Sequence, residues 1–269
     1  MKTRIISGAV FVVVLAVVFF LTPAAVTAIT MAAMCAVASY ELLHTTGLVR
    51  NIRLNVYSVV MAIVVALGSK LGNDYVFFVA ILVYWALLFS EVLLSSGKVP
   101  VSEIGYCLMA GILVPYLLSA LVRIRNWPDS VHIMFIPFIM AYCSDTGAYF
   151  VGVFLGKHKM CPSISPKKSW EGFFGGVVVA ILAMVVYALV LDRAFGFRVN
   201  YFLAVFYGLL GSVASVFGDL SMSVIKRQTG IKDYGKLIPG HGGILDRFDS
   251  VMITAPLTEA LMLLMPMVG

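Results

Sequence analysis

The chain has 269 residues, of which 61% are hydrophobic and only 12% are charged, and its formal net charge is +6. Its mean hydropathy of +1.02 excludes an ordinary soluble domain, in which about 25% of the residues are charged. We therefore expect an integral membrane protein without room for a sizeable soluble domain.

Apolar stretches of membrane-spanning length recur along the whole chain. A helix needs about 20 apolar residues to cross a bilayer core, and such stretches predict an all-α fold with about nine transmembrane helices. They cover residues 5–22, 24–43, 54–69, 75–95, 104–122, 131–156, 173–191, 201–225 and 250–268. Lys2 and Arg4 resemble the start of a signal peptide, but the apolar run after them exceeds the usual ~7–15 residues, so we interpret it as a retained helix.

Lys and Arg residues are distributed unevenly between the two sides of the membrane. Helix parity places the N-terminus and the loops after the second, fourth, sixth and eighth helices on one side, and 14 of the 19 Lys and Arg residues lie there. The other side carries Lys70, Arg123, Arg125, Arg193 and Arg198. Since loops rich in these residues stay in the cytoplasm, we expect a protein of the cytoplasmic membrane whose polar loops face the cytoplasm.

Polar side chains divide the chain into two functional halves. Residues 1–130 contain few of them, and we interpret these helices as anchoring and packing elements. Glu41 and Glu91 are the acidic exceptions near helix ends, and we interpret both as interfacial or inter-helix partners, with a functional role as the alternative. Residues 131–269 contain three polar patches, so we expect this half to carry the catalytic site.

Two of the three patches belong to the sixth predicted helix and the loop after it. Asp145 lies within the helix and either joins a carboxylate cluster or pairs with a lysine of the 157–171 loop. In the loop, Lys167 and Lys168 can hold a phosphomonoester, or they serve only as positive-inside residues. Ser169, Trp170 and Glu171 favour a binding site, since Glu171 can orient a lysine.

The third patch starts in the eighth predicted helix, where polar residues are spaced three or four apart. They form one stripe of the helix: Ser212, Ser215, Asp219, Ser223 and Lys226. The serines, with Gly208, Gly211 and Gly218, are typical of a seam at which membrane helices pack closely. Asp219 indicates a function instead, because a carboxylate at this depth is costly unless it is paired or coordinated.

Two further aspartates follow, and they share a face if the ninth helix begins near Leu245. Asp246 and Asp249, with Asp219 and the nearby cations, resemble a divalent-metal site for phosphate chemistry, since Mg²⁺ prefers oxygen ligands. For Asp249 a helix N-cap is an equal alternative. The glycines around His241 allow backbone amides to approach an anion, and His241 can hydrogen-bond a phosphate. The spacing of a P-loop is missing.

At these residues the chain resembles the phosphatidate cytidylyltransferases, also called CDP-diacylglycerol synthases. The family signature reads Ser-x-x-Lys-Arg, four residues, Lys-Asp and then Pro-x-His-Gly-Gly-x-x-Asp-Arg-x-Asp. The matching residues are Ser223, Lys226, Arg227, Lys232, Asp233, Pro239, His241, Gly242, Gly243, Asp246, Arg247 and Asp249. Segments around Asp145 and from Ser165 to Gly172 are also similar, so the likeness covers roughly residues 140–250.

The resemblance implies a multi-helix membrane enzyme that joins CTP and phosphatidate to give CDP-diacylglycerol and pyrophosphate. It implies a homodimer, no nucleic-acid partner and one or two Mg²⁺ ions, with an additional monovalent cation as an alternative. We expect Asp219, Asp246 and Asp249 to hold metal and, with Lys167, to be catalytic. The expected substrate-binding residues are Asp145, Lys167, Lys168, Ser169, Ser223, Lys226, Arg227, Lys232, Lys236, His241, Gly242, Gly243 and Arg247.

Three other functions are compatible with a chain of this kind. A transporter or channel would use Asp145, Asp219 and Glu259 as ion ligands, although the densest charge lies in a loop rather than at the midplane. A different lipid headgroup transferase is the second alternative, but the spaced Gly and Asp pattern of the CDP-alcohol phosphatidyltransferases is not found. A structural membrane partner without catalysis is the third.

Overall fold

A computed structural model describes residues 10–238, 240 and 242–269 of the chain, and within these residues the fold is almost entirely helical. The helices in chain order are α1 (Val10–Leu21), α2 (Ala24–Thr45), α3 (Ile52–Leu71), α4 (Asp74–Leu94), α5 (Val101–Arg125), α6 (Ser130–Leu155), α7 (Trp170–Phe195), α8 (Tyr201–Gln228), α9 (Leu245–Phe248) and α10 (Val251–Leu264). Two strands, β1 (Lys159–Cys161) and β2 (Ser165–Ser169), lie between α6 and α7.

Seven of the described helices, α2 to α8, are long and apolar enough to cross a membrane. The bounds of the predicted spans agree with those of the described helices to within about one turn, because long apolar runs are the most direct signal in a sequence. The predicted start of the first span, residue 5, lies outside the described residues. The first and last spans correspond to α1 and α10, which are shorter, with 10–17 residues each. The predicted helical membrane fold is thus confirmed for seven helices.

The strands were not predicted, because the 157–171 segment was expected to be a loop. β1 and β2 form an antiparallel hairpin in which Lys159 pairs with Ser169 and Cys161 with Ser165, with an irregularity between the two pairs. The strands are three and five residues long, which is too short for an alternating pattern to be recognised.

The described chain divides into two compact units. The first contains residues up to Pro128 together with Lys226–Phe248, and the second contains Asp129–Ile225 together with Asp249–Gly269. The division after residue 128 is close to the boundary that we placed at residue 130. However, the segment 226–248 groups with the N-terminal helices, so α8 begins in the second unit and ends in the first.

Small residues allow the helices to pack closely within each unit. In the first unit α2 packs extensively on α3, and the fully buried Ala28, Ala38, Ala62 and Ala66 belong to these two helices. In the second unit α6 packs most extensively on α7. A Cβ at Gly147 would lie 2.7 Å from the Val179 Cβ, which shows that only glycine permits this approach.

Candidate functional site

The predicted site residues form two polar clusters, one in each unit. The Asp219 cluster, in the second unit, consists of Asp145, Lys168, Ser215, Asp219, Ser223 and Ser250. The Asp246 cluster, in the first unit, consists of Lys226, Tyr234, Gly243 and Asp246. Both combine an aspartate with a lysine.

The Asp219 cluster is built around an ion pair. Lys168, at the end of β2, places its Nζ 2.6 Å from the Asp219 Oδ2 on α8, and the two side chains are 21% and 27% exposed. Ser223, one turn further along α8, donates its hydroxyl to the Asp219 Oδ1 over 3.2 Å. The pairing explains how a carboxylate is tolerated in α8, since burial of an unpaired charge is costly.

Asp145 on α6 accepts hydrogen bonds from two serines. The Ser215 hydroxyl donates to its Oδ1 over 3.2 Å, and the Ser250 hydroxyl donates to its Oδ2 over 3.1 Å. Lys168 and Asp219 are near enough to interact with the charge of Asp145. Asp145 thus lies near both a carboxylate and a lysine, and two serines are its hydrogen-bond partners.

The serines and glycines of α8 pack against neighbouring helices, as predicted. Ser212 and Ser215 are fully buried, and the Ser144 and Ser212 hydroxyls are hydrogen-bonded at 2.7 Å. A Cβ at Gly208 would lie 2.6 Å from the Ile181 Cα, and a Cβ at Gly211 would lie even closer to the Met140 side chain. The interpretation of this stripe as a packing seam is confirmed.

The hairpin presents Lys167 and Lys168 differently. Lys167 is exposed, whereas Lys168 is partly buried in the ion pair. Ser169 is 3% exposed, and its hydroxyl oxygen accepts the Gly172 N–H as the N-cap of α7. Such a bond satisfies one of the free amides of a helix start, so Ser169 has a structural role besides the predicted substrate contact.

Glu171 holds the start of the hairpin rather than a lysine side chain. Its carboxylate accepts the backbone N–H groups of Lys157 and His158 over 3.1 to 3.2 Å. It also lies 2.6 Å from the Nδ1 of His158. The expectation that Glu171 orients a lysine ammonium is wrong for this structure, because backbone amides and an imidazole occupy the carboxylate.

The Asp246 cluster is more deeply buried. Lys226 places its Nζ 2.9 Å from the Asp246 Oδ1, and the two side chains are 10% and 3% exposed. The Asp246 Oδ2 accepts the N–H groups of Tyr234 over 2.7 Å and of Gly243 over 3.0 Å. The Tyr234 ring also lies under the ammonium, 5.5 Å from its centroid. Asp246 therefore connects three parts of the 226–246 segment.

The remaining predicted cations are nearer the surface. Arg227, Lys232 and Lys236 are exposed, and Arg247 is half-buried. In the glycine-rich turn, Gly242 has a φ of +88°, a conformation that glycine adopts without strain. The Gly243 amide points to Asp246, so that amide is already occupied. His241 lies outside the described residues.

Asp249 lies between two helices rather than on one of them. A helix begins at Leu245, as the expectation of a shared face required, but this helix ends at Phe248 and α10 begins only at Val251. Asp246 and Asp249 therefore do not share a helix face. The Asp249 Oδ1 accepts the Ser250 N–H over 2.8 Å at the start of α10. Within the described part of the chain, no group of three or more His, Cys, Asp or Glu residues is placed to hold a metal ion.

Glu41 is the residue whose role near these clusters was not predicted. It is 3% exposed, and its two carboxylate oxygens accept the N–H groups of Ile244 and Leu245. These partners are more than 200 residues away along the chain. The sequence signal was a carboxylate in an apolar helix. Such a carboxylate indicates that position 41 has a partner, but it does not identify the partner.

Comparisons with known proteins agree with the sequence signature. A family model described as the cytidylyltransferase family matches residues 2–265. The phosphatidate cytidylyltransferase of Staphylococcus haemolyticus (strain JCSC1435) is 36% identical over 179 residues, which are 66% of this chain and 66% of the relative. The protein of the same name from Bacillus subtilis (strain 168) is 35% identical over 171 residues, which are 63% of this chain and 62% of the relative.

The aligned segments thus span slightly less than two thirds of the length of these relatives. The family model extends much further, over nearly the whole chain. The chain therefore belongs to the cytidylyltransferase family.

Proposed function

We propose that the chain transfers a cytidylyl group from CTP to phosphatidate and thereby forms CDP-diacylglycerol and pyrophosphate. The observation that carries the proposal is the unbroken signature from Ser223 to Asp249 in a chain that belongs to the cytidylyltransferase family. The name of the relatives, phosphatidate cytidylyltransferase, supports the same substrates. The seven apolar helices suit a substrate that resides in the bilayer.

The chemistry requires that negative charges be brought together. An oxygen of the lipid phosphate attacks the α-phosphorus of CTP, the bond to the β-phosphate oxygen breaks, and pyrophosphate leaves with the electron pair. Catalysis of phosphoryl transfer consists mainly of positioning and of neutralising charge. The attacking phosphomonoester is already ionised near neutral pH, because its second pKa is about 6, so no general base is needed.

Lys168 is the best-placed lysine for the lipid phosphate. Its ammonium has three donors, and its single ion pair with Asp219 leaves donor capacity for a phosphate oxygen. The Lys168 Nζ is also shielded from water, and shielding strengthens an electrostatic interaction. We assign Lys167, which is exposed on the same strand, to the same phosphate. The exposed Arg227, Lys232 and Lys236, together with Lys226 and Arg247, are proposed to bind the triphosphate.

Asp219, Asp246 and Asp249 are the proposed magnesium ligands. Mg²⁺ is usually held by one or two carboxylates together with substrate phosphates and water, rather than by an all-protein cage. A site of this kind does not need three protein ligands in one group. Asp246 accepts three hydrogen bonds, and since a carboxylate offers about four acceptor positions, one remains. When bound, Mg²⁺ would neutralise charge on the phosphates.

The membrane arrangement that we propose has nine crossings, with α1 and α10 added to the seven long helices. α10 is apolar and ends at Leu264, and the apolar residues Met265, Met267 and Val268 follow it in the sequence. The excess of Lys and Arg on one side favours the cytoplasmic membrane with the catalytic loops facing the cytoplasm. A homodimer is part of the proposal through the family resemblance alone.

The proposal is tested by incubating the purified protein with CTP, phosphatidate and MgCl₂ and measuring pyrophosphate release. We expect release to require all three, and we expect excess EDTA to abolish it. Asp192→Asn is the matched control, since Asp192 is a half-buried aspartate near the end of α7 that belongs to neither cluster, and it should retain activity. Absence of pyrophosphate from the folded wild-type protein would refute the activity, whereas full activity in EDTA would refute only the metal dependence.

A further inference from the structure

The carboxylate of Glu41 is buried at a point where α2 changes its geometry. The last turn of α2, Glu41–Thr45, is a π-helical turn, a rare conformation that occurs frequently at functional sites. Burial of a carboxylate is unfavourable unless hydrogen bonds compensate for the lost water. Its presence in an apolar helix therefore requires an explanation from its partners.

Those partners are backbone amides of the segment that contains the family signature. The Glu41 Oε1 accepts the Ile244 N–H over 3.1 Å, and its Oε2 accepts the Leu245 N–H over 3.0 Å. Leu245 is the first residue of α9, so these amides have no partner inside that helix. A carboxylate that accepts two such amides fixes both the position and the orientation of the helix start.

Two glycines and a threonine complete this attachment. A Cβ at Gly235 or at Gly243 would collide with the Glu41 carboxylate, so the backbone of the segment lies directly on the acidic group. Thr45, one turn after Glu41, donates its hydroxyl to the Tyr234 carbonyl oxygen over 2.5 Å. The last turn of α2 therefore holds the 234–245 segment at both ends of that segment, at Tyr234 and at residues 244–245.

The residues attached to α2 adjoin those that hold Asp246. The Tyr234 and Gly243 amides donate to the Asp246 Oδ2, and the Tyr234 carbonyl and the Ile244 amide are held by Thr45 and Glu41. We propose that Glu41 is a positioning residue, which fixes the 234–245 segment and thereby the Asp246 carboxylate. The proposal rests on the proposed function insofar as it assigns Asp246 to the bound nucleotide.

The test combines kinetics with a measurement that does not depend on activity. A nitroxide label at Leu237→Cys, an exposed position of the segment, reports its motion, in a background where the two partly accessible cysteines, Cys143 and Cys161, are replaced by serine. In Glu41→Gln we expect faster label motion and a loss of at least about tenfold in kcat/KM for CTP. The KM for phosphatidate should stay within about twofold.

Glu91→Gln is the matched control. Glu91 is also a buried glutamate of the first unit, at 6% exposure, but its carboxylate contacts Arg53 and Tyr57. It should leave label motion and the KM for CTP unchanged. If Glu41→Gln does not fold, Glu41→Asp, whose shorter side chain cannot span both amides, takes its place with the same expectations.

Wild-type label motion and wild-type KM for CTP in a folded Glu41 variant would overturn the proposal. A lower melting temperature with unchanged label motion would overturn it as well, because it would indicate general stabilisation only. If the wild-type protein has no cytidylyltransferase activity, the proposed function fails, and the label still decides whether Glu41 holds the segment.

Discussion

Replacement of Asp246 by Asn separates the structural role of this residue from its proposed catalytic role. The amide of Asn keeps one oxygen that can accept the Tyr234 and Gly243 amides, but the negative charge is lost. Lys226, whose side chain is only 10% exposed, then has no countercharge at its Nζ. Loss of one partner of a buried ion pair is more costly than loss of both, because it leaves an unpaired charge in a poorly solvated place.

The expected magnitude follows from the burial of the pair. Removal of one partner of a buried pair costs about 3–5 kcal/mol, and a chain of this size loses roughly 2–4 °C of Tm per kcal/mol. Asp246→Asn should therefore lower the Tm by roughly 6–20 °C. The Tyr234 ring, 5.5 Å from the Lys226 Nζ, still attracts the ammonium with about 1 kcal/mol, which favours the lower half of this range.

Thermal unfolding can be followed with a thiol-reactive dye in the background where Cys143 and Cys161 are replaced by serine, since Cys35 and Cys107 are fully buried and react only when the fold opens. The double variant Lys226→Met/Asp246→Asn removes the unpaired charge, so it should recover at least about 2 kcal/mol of the stability lost in the single variant. Pyrophosphate release should stay low in both variants, because the double variant regains stability but still lacks the Asp246 carboxylate that we propose to be catalytic.

Two results would contradict this reasoning. A Tm of Asp246→Asn within 2 °C of wild type, a margin of about 1 kcal/mol or less, would show that the pair contributes little to stability. A double variant that is no more stable than the single one would show that the unpaired ammonium is not the cause of the loss. Recovery of activity with stability would remove Asp246 from the proposed catalytic residues.

Three further predictions concern the second unit. Asp219→Asn should abolish pyrophosphate release yet cost less stability than Asp246→Asn, since the side chains of Lys168 and Asp219 are 21% and 27% exposed; a loss as large as that of Asp246→Asn would contradict this. Lys168→Met should raise the KM for phosphatidate at least about tenfold, with the exposed Lys159→Met as control, and an unchanged KM would remove Lys168 from the lipid site. Gly147→Val should lower the Tm markedly, because a Cβ there would lie 2.7 Å from Val179, whereas Gly196→Ala, where nothing lies within 4 Å but φ is +72°, should cost only about 1 kcal/mol.

The membrane helices could be predicted from the sequence because their signal is local. An apolar run such as 201–225 indicates a membrane helix by itself, and spacing of three or four places Ser212 and Ser215 on one stripe without knowledge of any partner. The seam between α6 and α8 was therefore predicted correctly. Its partner Ser144, which meets Ser212 at 2.7 Å, could not be identified by spacing alone.

The pairing of charges was less predictable. The sequence indicated that Asp219 needs a partner, but it did not identify Lys168, which lies on a strand about fifty residues earlier. Asp246 was interpreted as a metal ligand, whereas the structure also uses it to join Lys226 with two backbone amides. Hydrogen bonds to backbone amides cannot be predicted from residue types, because every residue except proline has an amide N–H.

Glu41 illustrates the same difficulty for a residue that was interpreted as an inter-helix partner. The sequence did not identify its partners, which are two amides of the 244–245 backbone. Gly235 and Gly243 allow this approach, and Gly243 was interpreted as one of the glycines that let backbone amides approach an anion. The absence of a side chain at these two glycines is also needed to make room for the Glu41 carboxylate of α2.

The hairpin between α6 and α7 is attached at several points. Ser169 caps α7, Glu171 binds the amides of Lys157 and His158, and a Cβ at Gly172 would lie 2.8 Å from the Ala148 carbonyl oxygen. Outward rotation of the hairpin would break the contacts of Ser169 and Glu171. Both ends of the hairpin are therefore held at its base, and in the proposed function Lys168 is in position before the lipid phosphate binds.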